Sequence, residues 1–320
     1  MDLSAPLRAI DRLQRPRPWL AVPFAVAKRF GEAGAGGLAA AIAYYSFFSL
    51  FPLLLVLASL AGFALHAHPD LQQRLLDSAL AQFPVVGSEI RSNVGSIQGS
   101  GVAVVVGLGL AVWAGLGAIR ATQVAMDTVW DVPRKRRPGT PASIGLALVM
   151  LVVLGVFLVA AAVIGGVASG AGRFGMLAGV VTSLALNIGL FALMYRILTR
   201  ADVSWRSVAP GAGLAGIGWT ALLALGGHLV SNRIGSSAHL YGSFAVVIGL
   251  LGWIYLGAQL ALAGAVLNPV LADHLWPRSL TGELTGADRR ALRRSALQEE
   301  RTRQESVDVG FEDVDHAARS

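Results

Sequence analysis

Six long apolar stretches without charged residues limit the folds open to this chain more than any other feature of its sequence. The first, residues 36–65, holds no Asp, Glu, Lys or Arg, and a helix of that length exceeds the roughly 20 residues needed to cross a bilayer. Backbone polar groups must be satisfied within the protein inside a membrane, so such stretches are expected to cross as helices. The sequence therefore predicts an all-α polytopic integral membrane protein. Its six transmembrane helices are predicted at 36–65, 101–119, 142–172, 174–195, 209–230 and 241–272.

The composition agrees with the membrane class. Hydrophobic residues make up 54% of the chain and charged residues only 14%, whereas soluble domains carry about 25% charged residues. The mean hydropathy is +0.61. The chain contains no cysteine, which excludes disulfides, thiol nucleophiles and cysteine-ligated metals.

The positions of the basic residues predict the orientation. Of the 26 lysine and arginine residues, 22 lie in residues 1–35, in the connections after the second and fourth spans, or in residues 273–320. Connections rich in Lys and Arg face the cytoplasm in most membrane proteins. Both termini are therefore expected to be cytoplasmic. The net charge of +7 indicates membrane topology, not a nucleic-acid partner.

Three segments lie outside the six-helix domain 36–272 or between its spans. Residues 1–35 form a basic cytoplasmic arm whose mixed aromatic and basic residues predict an interfacial segment. In residues 66–100, apolar residues at helical spacing predict extracytoplasmic amphipathic helices between the first and second spans. Residues 273–320 form a polar cytoplasmic tail, for which a solvated, marginal helix or disorder is expected.

The few polar residues within the spans are candidates for function. Tyr45, Ser49 and Pro52 share one helix face, which is expected to point inward. Pro52 frees the carbonyl of Phe48, for which Ser49 is the nearest hydroxyl. Such groups either form interhelical hydrogen bonds or line a path for a substrate or lipid. The candidate path residues are Tyr44, Tyr45, Ser46, Ser49, Pro52, Asn187, Tyr255, Gln259 and Asn268. The spans hold no charged residue well inside, which argues against a simple proton-driven pump.

A charged cluster follows the second span. Asp127 and Asp131 are four residues apart beside Trp130, a spacing that suits paired carboxylates in acid–base chemistry. Basic residues lie nearby, however, and ion pairing with Arg120, Arg134 or Lys135 is the favoured interpretation. The candidate residues of this cytoplasmic interface are Asp127, Trp130, Asp131, Arg134, Lys135, Arg136 and Arg137.

Other motifs carry no chemistry. Residues 211–216 read G-x-G-x-x-G, but they follow a proline at the start of an apolar span, so the motif predicts helix packing and not a dinucleotide site. His66 and His68 lack a third metal ligand. Hydrolase, zinc-protease, P-loop and kinase motifs are absent. We therefore expect no cofactor, no metal and no enzymatic activity.

Five segments resemble, in order, the YihY/BrkB family of bacterial inner-membrane proteins. They are AYYSFFSLFP at 43–52, MDTVW at 126–130, YGS at 241–243, WIY at 253–255 and GAVLN at 264–268. The resemblance covers roughly residues 28–272 and implies six transmembrane helices in the inner membrane. It also implies a role in envelope lipid handling or export, while a former ribonuclease BN label for members is regarded as mistaken. Asp127 stands where the family usually has Asn, and Val266 where it usually has Glu.

Two function hypotheses follow. The first is transport or flipping of a lipid or amphipathic solute in envelope maintenance, with membrane lipids as partners. The second is a non-transport scaffold whose basic loops and outer helices dock an envelope-assembly protein. No nucleic-acid partner is expected, and the sequence does not specify an oligomeric state.

Overall fold

The computed structural model describes residues 11, 14, 16–64, 101–137, 140–170, 172–233, 238–280 and 284–311. All regular structure in these ranges is helical, which confirms the predicted all-α class. The helices are α1 (Pro18–Glu32), α2 (Ala35–Ala64), α3 (Gly101–Val129), α4 (Thr140–Gly170), α5 (Gly172–Leu198), α6 (Trp205–Arg233), α7 (Ala238–Ala272) and α8 (Gly286–Leu297). A short 3-10 turn covers Arg134–Arg136. The amphipathic helices predicted in 66–100 lie outside the described residues.

Six of these helices, α2 to α7, overlap the six predicted spans and contain 27 to 35 residues. Within the described ranges, segments of α4, α5, α6 and α7 are long and apolar enough to cross a membrane. The bent pair α1 and α2 adds a fifth crossing if the two form one broken span. The chain is thus an integral membrane protein with four or five candidate spans, and the count of six stays a prediction.

The helices pack mainly against their neighbours in sequence. α2 packs on α3, α4 on α5, α5 on α6 and α6 on α7, while α7 also contacts α1 and α2. Much of the buried core consists of alanine, including Ala39, Ala212 and Ala265. Small residues let membrane helices approach closely.

The predicted packing role of the G-x-G-x-x-G motif is confirmed by two of its glycines. A Cβ on Gly216 would lie 2.6 Å from Ile188 of α5. Gly211 faces Gly264 of α7, and a Cβ on Gly264 would lie 2.6 Å from the Gly211 carbonyl oxygen. The third glycine, Gly213, would meet nothing within 4 Å. The motif therefore sets how closely α6 approaches α5 and α7.

α1 occupies the place of the predicted interfacial segment. It meets α2 at an angle of 66°, and Gly34 at the bend has a φ of 60°, a conformation that suits glycine. One face of α1, formed by Ala21, Ala25 and Arg29, is buried, whereas Trp19 is 70% exposed. The segment therefore packs on the bundle along one side and presents aromatic surface on another.

Within the predicted tail, the described residues 273–280 and 284–300, which we call the C-terminal segment, pack on the bundle, whereas the sequence predicts a solvated, marginal helix or disorder. α8 begins with a capping box formed by Thr285 and Asp288, an arrangement that satisfies two free amides at a helix start. Ala287, Asp288 and Ala291 are buried. The difference has an electrostatic cause, because the charges of this segment meet opposite charges supplied by α1 and by the end of α3.

Candidate functional site

Several chain segments meet at one end of the bundle, which we call the charged end. It comprises residues 28–32, 127–137, 196–204, 273–280 and 284–300. Salt bridges join these segments to one another across long sequence separations. The arm, the two basic connections and the tail therefore lie on the same side of the bundle.

Arg29 is the centre of the first buried contact at the charged end. Arg29 is 1% exposed, and its guanidinium lies 2.6 Å from the carboxylate of Asp131. It also donates to the Val129 carbonyl at 3.1 Å and to the Ser295 hydroxyl at 3.0 Å. The other carboxylate oxygen of Asp131 accepts a 2.5 Å hydrogen bond from Gln298. This contact joins α1, the end of α3 and the C-terminal segment.

Asp288 is the centre of the second buried contact. Its carboxylate lies 2.6 Å from Arg278 and 2.9 Å from Lys28, and it accepts from the amide of Ser279 at 2.9 Å. Burial alone would raise the pKa of Asp288, but these hydrogen bonds and one from Thr285 hold the pKa well below its usual range. Asp288 is thus held as an anion that fixes α8.

Arg278 extends this second contact to the end of α1. Its Nη2 atom lies 2.6 Å from the Glu32 carboxylate, while its Nε atom donates a hydrogen bond to Asp288. The Arg278 carbonyl accepts a 2.7 Å hydrogen bond from Gln14. The C-terminal segment is therefore bonded to α1 at several points.

Asp127 pairs with Arg200 at 3.0 Å. The structure thus places both carboxylates after the second span in ion pairs, as predicted, but the partners are Arg200 and Arg29 instead of Arg120, Arg134 or Lys135. Those two arginines come from distant parts of the chain, so spacing along the sequence did not indicate them. Because both carboxylates are held in buried ion pairs, the arrangement favours a structural role for this cluster over acid–base catalysis.

The rest of the predicted interface is divided between buried and exposed positions. Trp130 is buried, and Lys135 lies 2.7 Å from Glu300. Arg137 donates to the Val132 carbonyl at 3.2 Å. Arg134 and Arg136 are exposed. The basic run is therefore partly tied to the tail and partly open to solvent.

Two of the predicted path residues form interhelical hydrogen bonds. Asn268 of α7 is fully buried, and its Oδ1 accepts from the Gly211 amide of α6 at 2.8 Å. Asn187 of α5 donates to the Thr220 hydroxyl of α6 at 3.3 Å. A third such bond, which sequence reasoning missed, runs from the Tyr195 hydroxyl to the Ala261 carbonyl at 2.6 Å. These groups join the helices to one another.

A second group of path residues lies on α2. Tyr44 and Tyr45 are 56% and 46% exposed, with their ring centroids 5.5 Å apart. The face of α2 that was expected to point inward is therefore about half exposed at Tyr45. The Tyr45 ring covers Gly117 of α3, where an added Cβ would lie 2.9 Å from it. The Ser49 hydroxyl donates to the Ser46 carbonyl at 2.9 Å, and not to Phe48. α2 continues through Pro52 to Ala64, but the surroundings of the Pro52 side chain lie outside the described residues.

The remaining path residues lie on α7. Tyr255 and Gln259 are half-buried, one helical turn apart, and the Tyr255 hydroxyl would lie 3.8 Å from a Cβ on Gly36 at the start of α2. Val266, where the family pattern usually has Glu, is fully buried in the apolar core. The described path residues thus include packing contacts on α5 to α7, two exposed tyrosines on α2, and a face of α7 near α2.

The described part of the chain has no group of three or more His, Asp or Glu residues that could hold a metal ion.

Comparison with known proteins gives one family and one distant relative. The sequence profile described as "Virulence factor BrkB" matches residues 26–283. The ribonuclease-like protein YfkH of Bacillus subtilis (strain 168) is 37% identical over 91 residues, a stretch that covers 28% of this chain and 32% of the relative. The match thus spans about a third of that protein's length. No solved structure matches the chain significantly.

Proposed function

This chain belongs to the virulence factor BrkB family, and from that premise we propose that it transports or flips a lipid or other amphipathic solute across a bacterial inner membrane. The path runs along α2 where it faces α3 and α7. The protein acts by binding and moving its substrate, and it needs no catalytic group or cofactor. The charged end faces the cytoplasm in this proposal.

The observation that carries the proposal is the exposure of Tyr44 and Tyr45 within a span. Tyr44 lies nine residues after the first residue of α2, or about 14 Å along the helix at 1.5 Å per residue. If α2 enters the membrane at its first residue, the Tyr44 hydroxyl would lie well inside a hydrocarbon layer of roughly 30 Å. An unpaired hydroxyl there costs on the order of 2–7 kcal/mol.

The two hydroxyls differ from the other polar groups of the spans. Asn187, Asn268 and Tyr195 each bond to a neighbouring helix. Among the described residues, neither the Tyr44 nor the Tyr45 hydroxyl has a hydrogen-bond partner of this kind. A polar group of a passing lipid or amphipathic solute would supply that partner, and the adjacent rings of Tyr44 and Phe48, with centroids 4.8 Å apart, would contact its apolar part.

The proposal is tested by removing only the two hydroxyls. Purified protein with Tyr44→Phe and Tyr45→Phe is reconstituted in vesicles, and movement of fluorescent phosphatidylglycerol and phosphatidylethanolamine between leaflets is followed by dithionite quenching. Loss of two hydrogen bonds of about 1 kcal/mol each predicts a fall in rate of about tenfold or more.

Thr182→Val is the matched control, because this exposed hydroxyl on α5 already bonds to the Ala178 carbonyl of its own helix at 2.8 Å. The control should move lipid at the wild-type rate. Equal rates for the tyrosine variant, the control and the wild type would rule out the path along α2.

The second candidate function is a scaffold that docks an envelope-assembly protein at the charged end. Its specific support is that the docked C-terminal segment holds Arg134, Arg136 and Arg301 on an exposed surface. Crosslinking in native membranes should then recover a stoichiometric partner, and replacing these three residues with glutamine should abolish its recovery. Repeated failure to recover a partner would count against this role.

A further inference from the structure

An open pocket lies between the residues that follow α7 and one face of α8. Its volume is about 310 Å³, and it is lined by Asp273, Leu275, Arg290, Arg293 and Arg294. The three arginines occupy positions i, i+3 and i+4 of α8, so they project from the same face of the helix. The lining residues include three arginines and one aspartate, so this part of the surface has an excess of positive charge.

The existing contacts of these arginines leave hydrogen-bond donors unused. Arg294 pairs with Asp273 and lies 3.8 Å from Asp131, so it is largely committed. Arg290 donates one hydrogen bond, of 2.6 Å, to the His274 carbonyl. Arg293 stacks on Phe311, with its Cζ atom 5.4 Å from the ring centre. A guanidinium has five N–H donors in its plane, and stacking on a ring does not consume them.

The pocket lies at the level expected for the bilayer surface. Asp273 directly follows the last residue of α7, and Trp276 comes three residues later. Trp19 and Trp205, at the same end of the bundle, are 70% and 53% exposed, and Arg196 lies over the Trp205 ring at 4.8 Å. Exposed tryptophans with neighbouring basic residues are typical of membrane–water interfaces.

We propose that this pocket binds a phosphate group at the membrane surface. Planar guanidinium groups match the geometry of phosphate oxygens and can donate to them in pairs, and basic pockets beside membrane helices suit anionic headgroups. The group can belong to an anionic phospholipid or to a soluble phosphate ester. This site lies outside the spans and does not depend on the transport path along α2.

The test measures binding to purified full-length protein in a non-ionic detergent. The probes are short-chain phosphatidylglycerol, phosphatidylcholine of the same chain length, glycerol phosphate and inorganic phosphate, each titrated by calorimetry. The pocket variant is Arg290→Gln with Arg293→Gln. The control is Arg301→Gln with Arg303→Gln, which removes the same two charges from exposed positions of the tail. Arg293→Gln alone is included because, within the described ranges, the one contact of the Arg293 side chain is with the Phe311 ring.

We expect phosphatidylglycerol to bind wild type and control equally, with affinity reduced about tenfold or more in the pocket variant and less in Arg293→Gln. Phosphatidylcholine should bind much more weakly. Competition by glycerol phosphate or inorganic phosphate at similar concentration would support a soluble ester as ligand, and its absence would support a lipid headgroup. Equal binding by the folded pocket variants and the control, or no binding of any probe by wild type, would overturn the proposal. Either result leaves the transport assay on Tyr44 and Tyr45 unaffected.

Discussion

Replacing Arg29 with glutamine tests whether buried ion pairs hold the charged end together. The change removes the 2.6 Å contact with Asp131 and the hydrogen bonds to Ser295 and Val129. Asp131 then stays buried, because its side chain is only 2% exposed. Its remaining partners are Gln298 at 2.5 Å and Arg294 at 3.8 Å.

The expected cost follows from this remaining environment. Breaking a buried pair by removing one partner costs about 3–5 kcal/mol, because the other charge is left without its counterion. Gln298 and Arg294 offset part of that penalty, so we expect Arg29→Gln to lower the free energy of unfolding by about 3 kcal/mol. If the shift per kcal/mol matches that of domains of 150–250 residues, the apparent unfolding midpoint should fall by roughly 6–12 °C. Tryptophan fluorescence of detergent-purified protein during heating measures it.

Two further variants separate the ion pair from general damage. Arg29→Gln with Asp131→Asn removes both charges, and asparagine suits the left-handed backbone at position 131, where φ is 54°. This double variant should be more stable than Arg29→Gln alone. The control Arg134→Gln breaks a 3.8 Å pair with Glu299 whose side chains are 50% and 59% exposed, and it should cost less than about 1 kcal/mol. The reasoning is refuted if Arg29→Gln lowers the midpoint no more than Arg134→Gln does.

Two other predictions concern helix packing and pH. Gly211→Ala should lower the unfolding midpoint in the same heating assay, because the new methyl group would overlap the Gly264 carbonyl oxygen at a cost of about 1–3 kcal/mol or more. Gly213→Ala, in open space, should be neutral or slightly stabilising; similar losses in both would contradict this packing. For Asp288, contacts that lower its pKa provide stability above the unfolded carboxyl value of about 3.9, which is lost as pH falls through the lower native pKa. The midpoint difference between wild type and Asp288→Asn should therefore stay constant from about pH 7 to 5 and shrink below about 4; a difference that shrinks already near neutral pH would contradict the assignment.

The helices could be predicted from the sequence because their signal is local. Long uncharged stretches specify helices in a membrane without reference to the rest of the chain, and α2 and α7 begin and end within a few residues of the predicted bounds. The end of α3 is different. It extends past Ile119 to Val129, because its polar last turns pair with Arg29 and Arg200 instead of ending at the membrane surface.

The charged end could be predicted only in outline. The sequence places basic residues on one side and indicates ion pairs for Asp127 and Asp131, but the partner of each is chosen by packing between distant segments. The same limit applies to the tail, where charges that indicate a solvated segment meet opposite charges on α1. Asn268 and Asn187 were recognisable as polar groups needing partners, but only the structure assigns them to Gly211 and Thr220.

The side of the membrane on which the charged end lies can be measured directly, since the chain has no cysteine of its own. Single cysteines are placed at the exposed positions Arg17, Arg136 and Arg303, and each variant is treated with a membrane-impermeant maleimide in intact cells and in inverted membrane vesicles. All three should be protected in cells and labelled in inverted vesicles, because the arm, the connection after α3 and the tail meet at one end of the bundle. Labelling of Arg17→Cys and Arg303→Cys from opposite sides would contradict the six predicted crossings and the ion pairs that join α1 to the C-terminal segment.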